Sequence, residues 1–172
     1  MSSVDEAWHQ AAAKWTEVTG QIGEADWEKP TTCPDWTVRD LVDHAMGSQV
    51  NGGGVIGASI SPESDWTAIQ AGMSAAFQDP SNLEGMAEQW GMPKQAVAGL
   101  VTGDLLVHSW DLARSIGADE SLPEEAVVAT LTGIQRMPAE FLRSPNMFGS
   151  AIDVGDDATN QEKLLGFLGR QV

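Results

Sequence analysis

Apolar residues recur at helical spacing along most of this chain. Val4, Trp8, Ala11, Trp15, Val18 and Ile22 form a single stripe, and Ser3 with Glu6 makes a capping box ahead of it. A first helix is therefore expected to start near Ser3 and to end at Gly20 and Gly23. Residues 24–36 read as a loop punctuated by Pro30, Cys33 and Pro34. A second helix is expected from Thr37, with Asp40 completing a capping box and Val38, Leu41, Val42 and Ala45 as its apolar stripe. Gly52, Gly53 and Gly54 weaken that helix and suit close backbone packing or a flexible corner. Trp66, Ile69, Met73 and Phe77 predict a third helical stretch over 63–77, which Asp79-Pro80 breaks. Residues 81–93 are ambiguous, with room for a short helix ending at Trp90-Gly91. A long helix follows from Pro93 to Ile116, with Gly117 as its stop. Ser121 with Glu124 predicts the next start, Val127, Leu131 and Ile134 its inward face, and Pro138 a kink or division. A short helix near 158–168 completes the set. With no convincing alternating strand, the chain reads as all-α. The expected architecture is a four-helix bundle, up-and-down with a long crossover, plus short accessory helices, in a single domain over residues 1–172.

The long helix carries the unusual chemistry. Asp104 and His108 are four residues apart, and Asp111 follows His108 by three, so all three share one face. Counting back, Val97, Leu100 and Val101 lie on that face too, so it is the face expected to be buried. Ionisable groups there are costly unless they are paired or bind a metal. A carboxylate and a histidine one turn apart make half of a first-row metal site. The same spacing also suits a buried Asp–His pair that only holds helices together. His44 lies at the edge of the second helix's stripe, in line with Ser48 and Asn51. Bundles place metal sites between facing helices, and a histidine on one with an Asp/His pair on another fits that plan. His9 sits well off its helix's stripe and reads as solvated. Cys33 has no histidine near it in sequence and reads as a small residue in a packed turn.

Charge and cysteine content narrow the function classes. The 172 residues hold 25 acidic and nine basic side chains, a net charge of −16. Such a surface does not suit a phosphate backbone or an anionic membrane, so no nucleic-acid or membrane partner is expected. Cys33 is the only cysteine, which excludes an internal disulfide and fits a cytoplasmic location. The N-terminus lacks the basic and apolar regions of a signal peptide, and no apolar run is long enough to span a bilayer. Trp66, Trp90 and several methionines exceed what a lone bundle is expected to bury, so a homodimer is anticipated.

Three segments carry a family resemblance. Thr32-Cys33-Pro34-Asp35-Trp36-Thr37-Val38-Arg39-Asp40-Leu41 with His44 resembles the N-terminal signature of the DinB-like superfamily. More narrowly, it is similar to the metal-binding domain of mycothiol-dependent maleylpyruvate isomerases and their single-domain actinobacterial relatives. His108-Ser109-Trp110-Asp111-Leu112-Ala113 resembles the second signature, and Leu164–Arg170 resembles how the single-domain relatives finish. The resemblance implies a divalent metal held by His44, Asp104 and His108. Asp104 departs from the glutamate of the isomerases and from relatives with three histidines. Three ligands with an open position suit a catalytic zinc, and two histidines with a carboxylate also suit iron(II) or nickel. Asp111 and Asp40 are the residues expected to orient the imidazoles.

Three functions follow. The first is thiol-dependent chemistry, isomerisation or thiol transfer on a small electrophile, with a mycothiol-like thiol as cofactor. The second is metal-dependent hydrolysis, for which Asp111 is the candidate catalytic base. The third is a metal-binding or small-ligand-binding bundle without turnover.

Overall fold

The computed structural model describes residues 3–143 and 147–172. Among them are seven α-helices: α1 Val4–Thr19, α2 Val38–Val55, α3 Trp66–Phe77, α4 Lys94–Ile116, α5 Glu124–Ile134, α6 Ala139–Leu142 and α7 Asn160–Phe167. The protein is all-α, as the periodicity predicts. The sole sheet among the described residues is a hairpin of two-residue strands, β1 Met86–Ala87 and β2 Met92–Pro93. It occupies the stretch that was ambiguous in sequence, because strands this short carry no readable alternation. No helix among the described residues is long and apolar enough to cross a membrane.

Local chemistry sets most of the boundaries. Both halves of the capping box are present at Ser3/Glu6, at Thr37/Asp40 and at Thr159/Glu162. Gly117 adopts a φ of 76° and stops α4. The box expected at Ser121/Glu124 does not form. Ser121 instead donates from its amide and hydroxyl to Asp119, and α5 begins after Pro123. The physical reason is Pro123, whose ring disfavours helical geometry at Leu122 and so delays the start. The third helix starts at Trp66 rather than near 63, capped by Asp65. Pro138 divides α5 from α6, as expected.

Helix α4 is the centre of the assembly and packs against α1, α2 and α5, while α3 lies in the crossover between α2 and α4. Trp8, Trp15, Leu41, Leu105, Leu106 and Trp110 fill the shared core. One buried amide ties three helices together. Trp8 Nε1 donates to Gln49 Oε1 at 2.9 Å, and Gln49 Nε2 donates to the Val101 carbonyl at 2.8 Å. Trp66 is accounted for within the chain, because its Nε1 donates to Thr16 Oγ1 and its ring meets Trp15 edge-on.

The glycine run does not break α2, which continues to Val55. Its value is proximity. A Cβ on Gly52 would lie 2.2 Å from Val101 Cγ1, so α2 reaches α4 only without one. Gly52→Ala is expected to push the helices apart and to destabilise the protein by about 1–3 kcal/mol. A urea midpoint matching the wild type would show that the contact relaxes freely.

Candidate metal centre

Each side chain of the site is positioned by a local rule. Asp104 and His108 project from one face of α4, one turn apart. His44 projects from α2, whose close approach to α4 at Gly52 and Val101 brings the two helices together. The three converge: one ligand atom from each lies within 4.8 Å of the others. Asp104 Oδ1 is 3.3 Å from His44 Nε2 and 3.4 Å from His108 Nε2. The two imidazoles stand nearly perpendicular, with ring centres 5.0 Å apart. His9, by contrast, faces solvent and pairs with Asp5 on its own helix.

Asp111 fixes the orientation of His108. Its Oδ2 lies 2.9 Å from His108 Nδ1. With the proton on Nδ1 donated to that carboxylate, the Nε2 lone pair faces Asp104 and His44. Asp111 is itself fully buried and held from three further directions. Arg170 Nη2 donates to its Oδ2 at 2.8 Å and Arg170 Nε to its Oδ1 at 3.3 Å. Thr32 donates to Oδ1, and the Cys33 thiol lies 3.7 Å from Oδ2. This suits an orienting side chain. Asp40, considered for the same task, has its carboxylate committed to the Thr37 amide and hydroxyl at the start of α2.

The electrostatics agree. Burial alone would raise the Asp104 carboxyl. The His108 charge and the hydrogen bonds from both imidazoles outweigh it and hold Asp104 well below the usual carboxylate range. Burial opposes charge on His108 as well, but Asp104 and Asp111 with Cys33 raise it well above an ordinary histidine. Burial would likewise raise Asp111, yet the His108 hydrogen bond and the Arg170 charge hold it well below the usual range. The carboxylates on either side thus favour positive charge at His108, which a proton on Nε2 supplies and a metal ion there would replace.

A metal ion fits this set. Asp104 Oδ2 is buried and has no hydrogen-bond partner among the described residues, an expensive state for a carboxylate oxygen. Two imidazole nitrogens and a carboxylate with a spare oxygen are donors of the kind that zinc takes. A second group, Cys33, His108 and Asp111, also lies within ligand range. There the Arg170 guanidinium already supplies the positive charge, so that group is complete without a metal.

Two members of the site have no signal in sequence proximity. Cys33 was expected to be a plain turn residue for want of a nearby histidine, yet it sits with His108 and Asp111 of α4. Its turn explains the Cys-Pro-Asp-Trp segment. The Trp36 amide donates to the Cys33 carbonyl, Pro34 takes the second position, and Asp35 takes the third with a φ of 65°. That is a type II turn, in which the third residue needs positive φ. It delivers Trp36 against both imidazoles, 4.7 Å from the His44 ring and 6.0 Å from the His108 ring. Arg170 is delivered by another turn. Gly169 adopts a φ of 82°, its amide donates to the Gly166 carbonyl, and the Arg170 amide donates to the Leu165 carbonyl. This is the Schellman motif that ends α7. A Cβ on Gly169 would lie 3.0 Å from Gly149 Cα. Gly169→Ala is therefore expected to withdraw Arg170 and to lower stability by about 1–3 kcal/mol, as read by thermal unfolding. An unchanged melting temperature would mean that the turn tolerates the side chain.

The exposed side of the site is His44, at 40 %. It opens into a depression of about 550 Å³ lined also by Gly47, Ser48, Asn51, Gln89 and Trp90.

Comparison with known proteins supports the kinship read from the motifs. Residues 8–91 match the family model described as mycothiol maleylpyruvate isomerase N-terminal domain, a span that includes the Cys33–Trp36 turn and His44 but ends before α4. Two proteins of Mycobacterium tuberculosis, one in each of two strains and both described as uncharacterised, are 29 % identical to this chain over 161 residues. Those alignments cover 83 % of this chain and 84 % of each relative. No solved structure matches. Through residues 8–91, the chain is similar to the family described as mycothiol maleylpyruvate isomerase N-terminal domain.

Proposed function

We propose that this protein binds one divalent metal ion through His44, Asp104 and His108, and that it uses the ion for thiol-dependent chemistry on a small electrophile. The observation that carries the reading is the convergence of two imidazoles on the half-buried Asp104 carboxylate, whose second oxygen has no hydrogen-bond partner among the described residues. Zinc suits the donor set best, because three protein ligands leave the open position of a catalytic ion. When bound there, zinc would lower the pKa of a thiol and hold it as the nucleophilic thiolate.

The chain's own residues perform the rest. Asp111 keeps the His108 proton on Nδ1 and so keeps Nε2 free to ligate. Trp36 covers the imidazoles from the loop side and limits water there. The depression beside His44 offers room for a ligand, and Ser48, Asn51 and Gln89 offer hydrogen-bonding groups for a polar thiol. The name of the matched family supports mycothiol as that thiol, with isomerisation or thiol transfer as the reaction class.

Cobalt substitution tests this reading. The cobalt(II) form is expected to gain a thiolate-to-metal absorption band when mycothiol is added. The band should be absent in His44→Ala. A cobalt-loaded protein whose spectrum ignores the thiol would overturn the thiol-dependent reading, while leaving the metal site itself to be judged by its own measurement.

A further inference from the structure

A second cavity lies on the other side of α4. Its lining includes Gln95, Gly99 and Thr102 of that helix. Gly99 and His108 are nine residues apart, two and a half turns at helical pitch, so they point in opposite directions. The cavity measures about 440 Å³, within the range of small-molecule pockets, and is bounded by α1, α4 and α5.

Three features give it a chemical character. Its body is apolar, formed by Val4, Ala7, Ala129, Ile134 and Met137. Its polar end carries positive charge. Arg136 lines the mouth and has no carboxylate partner among the described residues, although the chain is strongly acidic. Helix α4 also presents its first turn here through Gln95 and Ala96, and it begins on Pro93 without a side-chain cap. The amides of an uncapped helix start favour a negative charge.

The third feature is Thr130. Its residue is 5 % exposed, it lines the cavity, and its hydroxyl has no hydrogen-bond partner among the described residues. Other helical hydroxyls here bond back to the carbonyl four residues earlier: Thr16 to Ala12, Thr102 to Ala98, Ser109 to Leu105. Thr130 does not, which leaves an unpaired polar group in the cavity wall.

We infer that this cavity binds a small amphipathic carboxylate, with its apolar body between α1 and α5 and its anionic end toward Arg136 and the start of α4. The inference is independent of the metal centre.

The test uses the full chain, with octanoate and the neutral analogue 1-octanol as probes, followed by calorimetry and amide NMR shifts. Octanoate is expected to bind at millimolar concentration or below and to shift amides of the lining residues. Arg136→Gln, an exposed change that should not disturb folding, is expected to weaken octanoate by about tenfold and to leave octanol unchanged. Gly99→Leu places a side chain where a Cβ meets open space. It is expected to keep the helical spectrum and to abolish binding of both probes. Absence of octanoate binding, or octanoate affinity unaltered in Arg136→Gln, would overturn the inference. If Gly99→Leu fails to fold, the Arg136→Gln comparison still decides.

Discussion

Arg170→Leu should cost the folded protein about 3 kcal/mol, although only two residues of the sequence follow it. Asp111 is fully buried and ionised, and Arg170 is the cation that meets both of its oxygens. Removing one member of a buried pair leaves the other's desolvation uncompensated, a larger loss than the pair's net contribution. His108 and Thr32 still contact Asp111, which keeps the expected cost at the lower end of the range for such pairs. Urea unfolding provides the measurement. A double-mutant cycle with Asp111→Asn separates pairing from packing, because the second change should recover part of the loss. A loss under about 1 kcal/mol would place the pair in the weak class of solvent-screened bridges.

Asp111→Asn should weaken zinc binding by about 10- to 100-fold. An asparagine can turn its amide nitrogen toward His108 Nδ1, which reverses the hydrogen bond and moves the imidazole proton to Nε2. Nε2 is the atom that faces Asp104 and His44. The side chain keeps its size, so the helices should stay packed, while the unpaired Arg170 lowers the unfolding midpoint. Competition with a chromophoric chelator gives the affinity, and circular dichroism checks the fold. Unchanged zinc affinity would reduce Asp111 to an anchor for Arg170 alone.

What could be read from the sequence depended on how far apart the cooperating residues lie. The capping boxes of α1 and α2 join residues three apart, so their chemistry is local and was legible. The stripe of α4 and the spacing of Asp104, His108 and Asp111 are equally local. His44 was legible because it sits at a stripe edge, where a polar side chain can face both the core margin and a neighbouring helix. The start of α5 was misread because Pro123 governs Leu122 more strongly than a Ser-to-Glu spacing governs a cap. Cys33 and Arg170 could not be found by proximity. They meet Asp111 across 78 and 59 residues of chain, through a type II turn and a Schellman turn. A turn at Cys-Pro-Asp-Trp was visible in the sequence, but not where it would point.

Zinc titration of the metal-free chain tests the central claim most directly. One zinc is expected to bind per chain, with ligand distances of about 2.0–2.2 Å by X-ray absorption. His44→Ala, Asp104→Ala and His108→Ala should each lose that stoichiometry while remaining helical, and His9→Ala should keep it. A wild-type chain that binds no zinc and shows no rise in melting temperature when zinc or iron(II) is added would rule out a metal site between α2 and α4. His44, Asp104 and His108 would then be a polar cluster that only joins α2 to α4.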